Sequence, residues 1–201
     1  CLGRPRRDEA RRRQGARSED AGDLVYPRQE GVGTDARAKA HRNGWDAIKT
    51  RWIDMNKGDD GSPVYRSRLV CKEFNTGAMD GIFAGPPPLE ALRYLIHEAA
   101  TIRSGEPIGS KVVMINDVAR AFFEAPAVRQ VCVELPEEYL TPEDRRNDNV
   151  GHHHMSLYGT RDAATNWQEE IAKVMKANGF ARGQYNPCLY WSATLGGKAF
   201  V

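Results

Sequence analysis

Asp117 is the residue best placed to do chemistry. It closes an apolar run inside KVVMINDVARAFFEAP (residues 111–126), where Val112, Val113, Met114 and Ile115 lead into Asn116 and Asp117. A continuous apolar run of this length is expected to form a strand buried on both faces. A carboxylate at the end of such a strand is costly unless a charge meets it, and a divalent cation is the usual partner. A second role fits the same position. Asp is a favoured helix N-cap, and a short helix could begin at Val118. Asp117 taken alone does not choose between ligand and cap.

A second group that could do chemistry is cationic. Residues 49–55 and 62–74 are β-prone runs separated by Gly58-Asp59-Asp60-Gly61, which signals a hairpin. Side chains alternate along a strand, so Arg66, Arg68 and Lys72 share one face, with Tyr65, Leu69 and Cys71 on the other. Three cations on one face suit a triphosphate or a nucleic-acid backbone. A solvated outer face fits them equally well. The run His152-His153-His154 invites a metal reading, yet neighbours on a strand point to opposite faces and cannot all reach one ion.

These residues need elements to hold them. Pro86-Pro87-Pro88 opens a helix whose stripe of Leu89, Leu92, Ile96 and Ala99 is expected to pack, with Arg103 and Gly105 ending it. Residues 130–135 read as a strand, 136–149 as a polar loop, and 151–157 as another strand. After the break at Tyr158-Gly159, Asp162 is placed to cap a helix carrying Ala164, Trp167, Ile171 and Val174, which Asn178-Gly179 stops. Residues 187–191 and 198–201 read as two further strands. This order points to an α+β domain with an antiparallel sheet and packed helices.

The chain has 201 residues, 40% hydrophobic and 28% charged, which describes a soluble globular protein with room for an ordinary core. No run is long enough to span a membrane, and no apolar leader is visible. Cys1, Cys71, Cys132 and Cys188 are scattered without a CxxC pair, which suggests reduced thiols in an intracellular protein, cytoplasmic or nuclear. Residues 1–43 are Arg-, Gly- and Ala-rich, with Arg11, Arg12 and Arg13 consecutive, and are expected to be a disordered basic arm or linker. Such an arm could touch phosphates, or it could be a solvated tail. Order is expected from residue 44 onward, near Trp45.

Five blocks in order carry a resemblance: RWIDMNKGDDGSPVYRSRLVCKEF, MINDVARAFFEAP, VCVELPEE, SLYGTRDAATNW and NGFARGQYNPCLYW. Together, over roughly residues 45–201, they resemble copia-type retrotransposon reverse transcriptases. The resemblance implies a reverse-transcriptase-like fold, with residues 51–74 in the fingers and residues 44–201 making fingers and a partial palm. Arg68 and Lys72 match cations that face the incoming triphosphate. Asp117 matches the first catalytic aspartate, a ligand of both magnesium ions. Phe122 matches the aromatic under the sugar that excludes a 2′-hydroxyl, and Tyr158 and Gly159 match the loop against the nascent base pair and template.

The implied activity is RNA-directed DNA polymerisation by two-metal nucleotidyl transfer. Its implied partners are an RNA template, a DNA primer, deoxynucleotides and the remainder of a polyprotein, with no membrane. The family's aspartate pair is expected beyond the strand that 198–201 begins, so the magnesium site is incomplete in this stretch and the stretch by itself is expected to be inactive. Asn116 stands where the family often has an apolar residue. A different function class uses the same cations, namely a degenerate or repurposed nucleic-acid-binding module without catalysis. Asp117 is expected at the end of a central strand, in a cleft shared with Arg68, Lys72 and Phe122.

Overall fold

A computed structural model describes residues 32–201 apart from 60, 63, 75, 76, 78–83, 86 and 87. Its elements are β1 (Val32–Ala36), α1 (Arg37–Arg42), β2 (Ala47–Ile48), β3 (Thr50–Asn56), β4 (Tyr65–Cys71), α2 (Leu89–Ala100), β5 (Pro126–Val133), α3 (Pro142–Asn147), β6 (Asn149–Met155), α4 (Ala163–Ala177), β7 (Ala181–Arg182), β8 (Leu189–Trp191) and β9 (Lys198–Phe200). Among the described residues no helix is long and apolar enough to cross a membrane.

The main sheet has the order β1-β6-β5-β2. Its β1/β6 and β6/β5 pairs are antiparallel, but β2 joins β5 in parallel, so the expected antiparallel sheet is in fact mixed. β2 is seated beside β5 by Trp45 and Ala47, which pack on the cluster of Ala40, Cys132 and Val150. Two smaller antiparallel sheets complete the strands, the β3–β4 hairpin and the β7-β8-β9 sheet.

Order begins before residue 44, a correction to the expected arm. β1 lies along β6 from Val32↔His153 to Ala36↔Asn149, and α1 turns back to bury Ala40. Two ion pairs hold this corner, Arg37 with Asp148 and Lys39 with Asp35. Residues 1–31, where the rest of the arm was expected, lie outside the described residues.

The strand buried on both faces is β5. Val131 and Val133 point into a cluster with Cys71 and Leu157, and Cys132 points into the opposite cluster with Ala40 and Val150. The expectation that 112–115 would be this central strand is overturned. Those residues have no regular structure, and Val112, Val113, Met114 and Ile115 are 88, 62, 79 and 91% exposed. An apolar run becomes a central strand only where strands pair with both of its edges. Here β6 and β2 flank β5, and among the described residues no strand pairs with 112–115.

The helices differ from expectation in their buried faces. On α2, Leu89, Leu92 and Ile96 are exposed and Ala91 is buried, and Lys198 of β9 reaches Glu98 and the Tyr94 hydroxyl. On α4 the buried residues are Ala163 and Asn166, with Trp167 and Ile171 half-buried and Val174 exposed. The stretch 136–149 is not simply a loop. Thr141 and Asp144 form a capping box over α3, with Pro142 at its first turn.

Candidate nucleotide-contact site

Two segments meet at the end of β4. The Cys71 N–H donates to the Tyr158 carbonyl at 2.7 Å, and the Lys72 N–H donates to the Lys49 carbonyl at 2.8 Å. Gly159 follows with φ +85°, a conformation that favours glycine. It presses against the Cys71 backbone, leaving no room for a β-carbon. A third segment arrives through the 3-10 turn Ala121–Glu124. Its Phe122 ring lies 4.9 Å from the Tyr158 ring and its Phe123 ring 5.6 Å from it, both in tilted or edge-on contacts that aromatic quadrupoles favour. The structure therefore brings Lys72, Phe122, Tyr158 and Gly159 to one corner.

Arg68 is exposed on β4, opposite Ile53 of β3, while Leu69 and Cys71 are buried on the other face, as strand alternation requires. Asp117 is exposed within the irregular stretch that precedes the Ala121–Glu124 turn, so it closes no strand. Arg120, at φ 58°, redirects the chain there in a left-handed conformation that costs a non-glycine residue about 1 kcal/mol or more. Neither Asp117 nor Arg68 has a hydrogen-bond or ion-pair partner among the described residues.

Beneath this corner lies a cluster of charges that sequence reading misses. One Arg129 guanidinium nitrogen donates to Glu73 Oε2 at 2.5 Å and to Asp162 Oδ1 at 2.9 Å. Glu73 Oε2 also accepts the Arg161 N–H at 2.8 Å. Asn166 Nδ2 donates to Asp162 Oδ2 and to Ser156 Oγ. Asp162 stands at the N-cap position of α4, yet its side chain makes no capping bond and serves Arg129 instead. Burial alone would push the Asp162 carboxyl up, but Arg129 outweighs burial and holds it below the usual range. Burial, with the Glu73 charge adding to it, pushes the Cys71 thiol up to about 12. The available signal was Arg129 itself, a cation inside an apolar strand, which demands a partner.

The histidines divide as strand geometry requires. His153 is buried, whereas His152 and His154 share the other face with ring centroids 4.8 Å apart. His152 stacks on Trp45, pairs with Gln130 Oε1 at 2.5 Å and lies 3.4 Å from Asp35. Among the described residues, no group of three or more His, Cys, Asp or Glu side chains is arranged to hold a metal ion. Asp117 alone therefore does not fit a two-metal centre. A cavity of about 490 Å³ lies elsewhere, lined by Arg37, Glu134, Asp144 and Asp148 among others and by none of the expected site residues. Its arginines Arg37 and Arg145 are already paired with carboxylates.

No family model and no solved structure matches the chain. The chain is similar to the Retrovirus-related Pol polyprotein from transposon TNT 1-94 of Nicotiana tabacum, with 24% identity over 155 residues. That match covers 72% of this chain and 10% of the polyprotein, so the chain spans about a tenth of the length of this curated relative. The likeness supports a retrotransposon origin for the chain.

Proposed function

We propose that the chain is part of an RNA-directed DNA polymerase domain in a copia-type retrotransposon polyprotein. The observation that carries this reading is the convergence of Lys72, Phe122, Tyr158 and Gly159, residues from three separate segments, on one corner. The sequence blocks that resemble reverse transcriptases supply those four positions; Phe122 meets Tyr158 ring to ring, and the Tyr158–Gly159 backbone meets Cys71, the residue before Lys72. Lys72, with Arg68 on the strand before it, would meet the phosphates of a deoxynucleotide. The Phe122 ring offers a flat apolar surface for its sugar, and the Tyr158–Gly159 backbone a narrow shelf for the template base. Asp117 would contribute one carboxylate to a magnesium site whose other ligands are not among the described residues.

The test is primer extension by the whole reading frame that contains this chain, on an RNA template with deoxynucleotides and magnesium. Extension is expected in the parent. It should vanish in Asp117→Asn, because a neutral amide binds a hard dication far less well than a carboxylate. Phe122→Ala should still extend but admit ribonucleotides. Extension at the parent rate by Asp117→Asn would remove the catalytic assignment.

A second reading, a nucleic-acid-binding module without catalysis, is favoured by the exposed cations Arg51 and Arg68 on the hairpin. It predicts salt-dependent binding of a template-primer duplex with no extension under any metal.

A further inference from the structure

We infer that Arg129 is a positioning residue that locks the fingers-side strand β4 to the loop and helix opposite, and so sets where Lys72 stands. This inference rests on the reading of that corner as a nucleotide-contact site. Glu73 directly follows Lys72, and its carboxylate is gripped by Arg129 from β5 while it accepts the Arg161 N–H. Arg161 lies two residues beyond Gly159, and Asp162, the second carboxylate on Arg129, opens α4. One guanidinium thus joins the residue after Lys72 to the loop that carries Tyr158 and Gly159.

The joint is stiff for a physical reason. Glu73 and Asp162 side chains are 16% and 9% exposed and Arg129 is 28% exposed, so the charges are largely out of water. Removing one member of such a group leaves a buried charge without compensation, a far larger penalty than losing a surface pair. Among the described residues no second cation pairs with Glu73 or Asp162. The β5 bulge puts Arg129 there: the register passes from Pro126↔Met155 to Val131↔His153, so the strand carries extra residues between those pairs, and Arg129 is one of them.

The experiment uses the whole chain and two readouts. The first is amide hydrogen exchange in Arg129→Gln. Exchange at the Cys71 and Arg161 amides should accelerate by about tenfold or more, while amides of the β5–β6 ladder keep parent protection. If Arg129→Gln loses protection everywhere, Glu73→Gln must show the local contrast at the Cys71 amide, while its side-chain oxygen still accepts the Arg161 N–H. Unchanged exchange at Cys71 and Arg161 overturns the inference, and so does a loss that remains global in both variants.

The second readout is a double-mutant cycle of Arg129→Gln with Lys72→Ala on affinity for a labelled RNA–DNA template-primer duplex with a recessed primer end. Arg129→Gln should weaken binding by about tenfold in the parent and by less than about twofold once Lys72 is gone. Equal losses in both backgrounds overturn the positioning of Lys72. Failure of the parent to bind the duplex, together with the local exchange contrast, sinks the polymerase reading and leaves the lock standing.

Discussion

Gly159 lies so close to Cys71 that a β-carbon built on it would sit 2.2 Å from the Cys71 carbonyl oxygen. That contact accompanies the hydrogen bond from the Cys71 N–H to Tyr158, so at this point the loop meets β4 backbone to backbone. Two penalties follow from adding a side chain there, a left-handed φ of +85° and a clash that only backbone movement can relieve. Gly159→Ala should destabilise the protein by about 2–4 kcal/mol in urea unfolding. Gly179 has a similar φ of +81° but nothing within 4 Å of its would-be β-carbon, so Gly179→Ala should cost only about 1 kcal/mol. Equal costs for the two would mean that the Cys71 contact does not matter.

His153 gives the fold an acid-sensitive element. Burial, with His152 and His154 nearby adding to it, lowers its pKa from 6.5 to about 4. The unfolded chain therefore binds more protons than the folded one between those values. Stability should be full above pH 6.5 and fall as pH drops toward 4, by up to about 3 kcal/mol. His153→Gln should flatten that slope in urea midpoints measured across the window, whatever it does to stability at pH 7. The carboxylate of Asp162 acts lower. Its pKa is depressed below 3.8, so its contribution is present above that value and is lost as pH falls through the folded-state pKa.

The capping box of α3 should be measurable on its own. The Asp144 N–H donates to Thr141 Oγ1 at 3.0 Å, and Asp144 Oδ2 accepts the Thr141 N–H at 3.0 Å. Thr141→Ala is expected to cost about 1 kcal/mol, read as a shift in the thermal or urea midpoint. Thr141→Ser should restore most of it, and an Ala variant as stable as the parent would show that the box contributes nothing.

Thiol chemistry offers a simple check of the core. Cys71, Cys132 and Cys188 are free and buried, and the Cys71 thiol is held protonated with its pKa near 12. Iodoacetamide at pH 8 should leave all three unmodified in the native protein and modify them in urea. Rapid native labelling of Cys71 detected by mass spectrometry would contradict the packing of β4 on β5.

Val112 to Ile115 and Val131 to Val133 show what a sequence can and cannot reveal. Both are continuous apolar runs, and composition marks either as a buried strand. Which one becomes central depends on the strands beside it, and those partners are remote in sequence: β5 is flanked by β2 and β6. The hairpin and the break at Tyr158-Gly159 were legible because turns and glycines act locally. The short helix at Pro142–Asn147 was missed, because the charge of 136–149 reads as a loop although Thr141, Pro142 and Asp144 cap it. The lock on Arg129 was not legible either, since its partners are 56 and 33 residues away.

The bare run at 112–115 has a consequence for colloidal behaviour. Four consecutive exposed apolar residues outside regular structure are a ready template for association between chains, and flanking charges are the usual guard. Lys111 before the run is engaged by Glu106 at 2.8 Å, which leaves as a guard after it the carboxylate of Asp117, unpaired among the described residues. Asp117→Asn, the change that probes catalysis, therefore also strips charge from a sticky segment. A silent Asp117→Asn preparation could be silent because it has clumped, and light scattering on the same sample separates the two. Adding Met114→Lys returns a charge to the run without returning the carboxylate, so only a chemical defect should survive that combination.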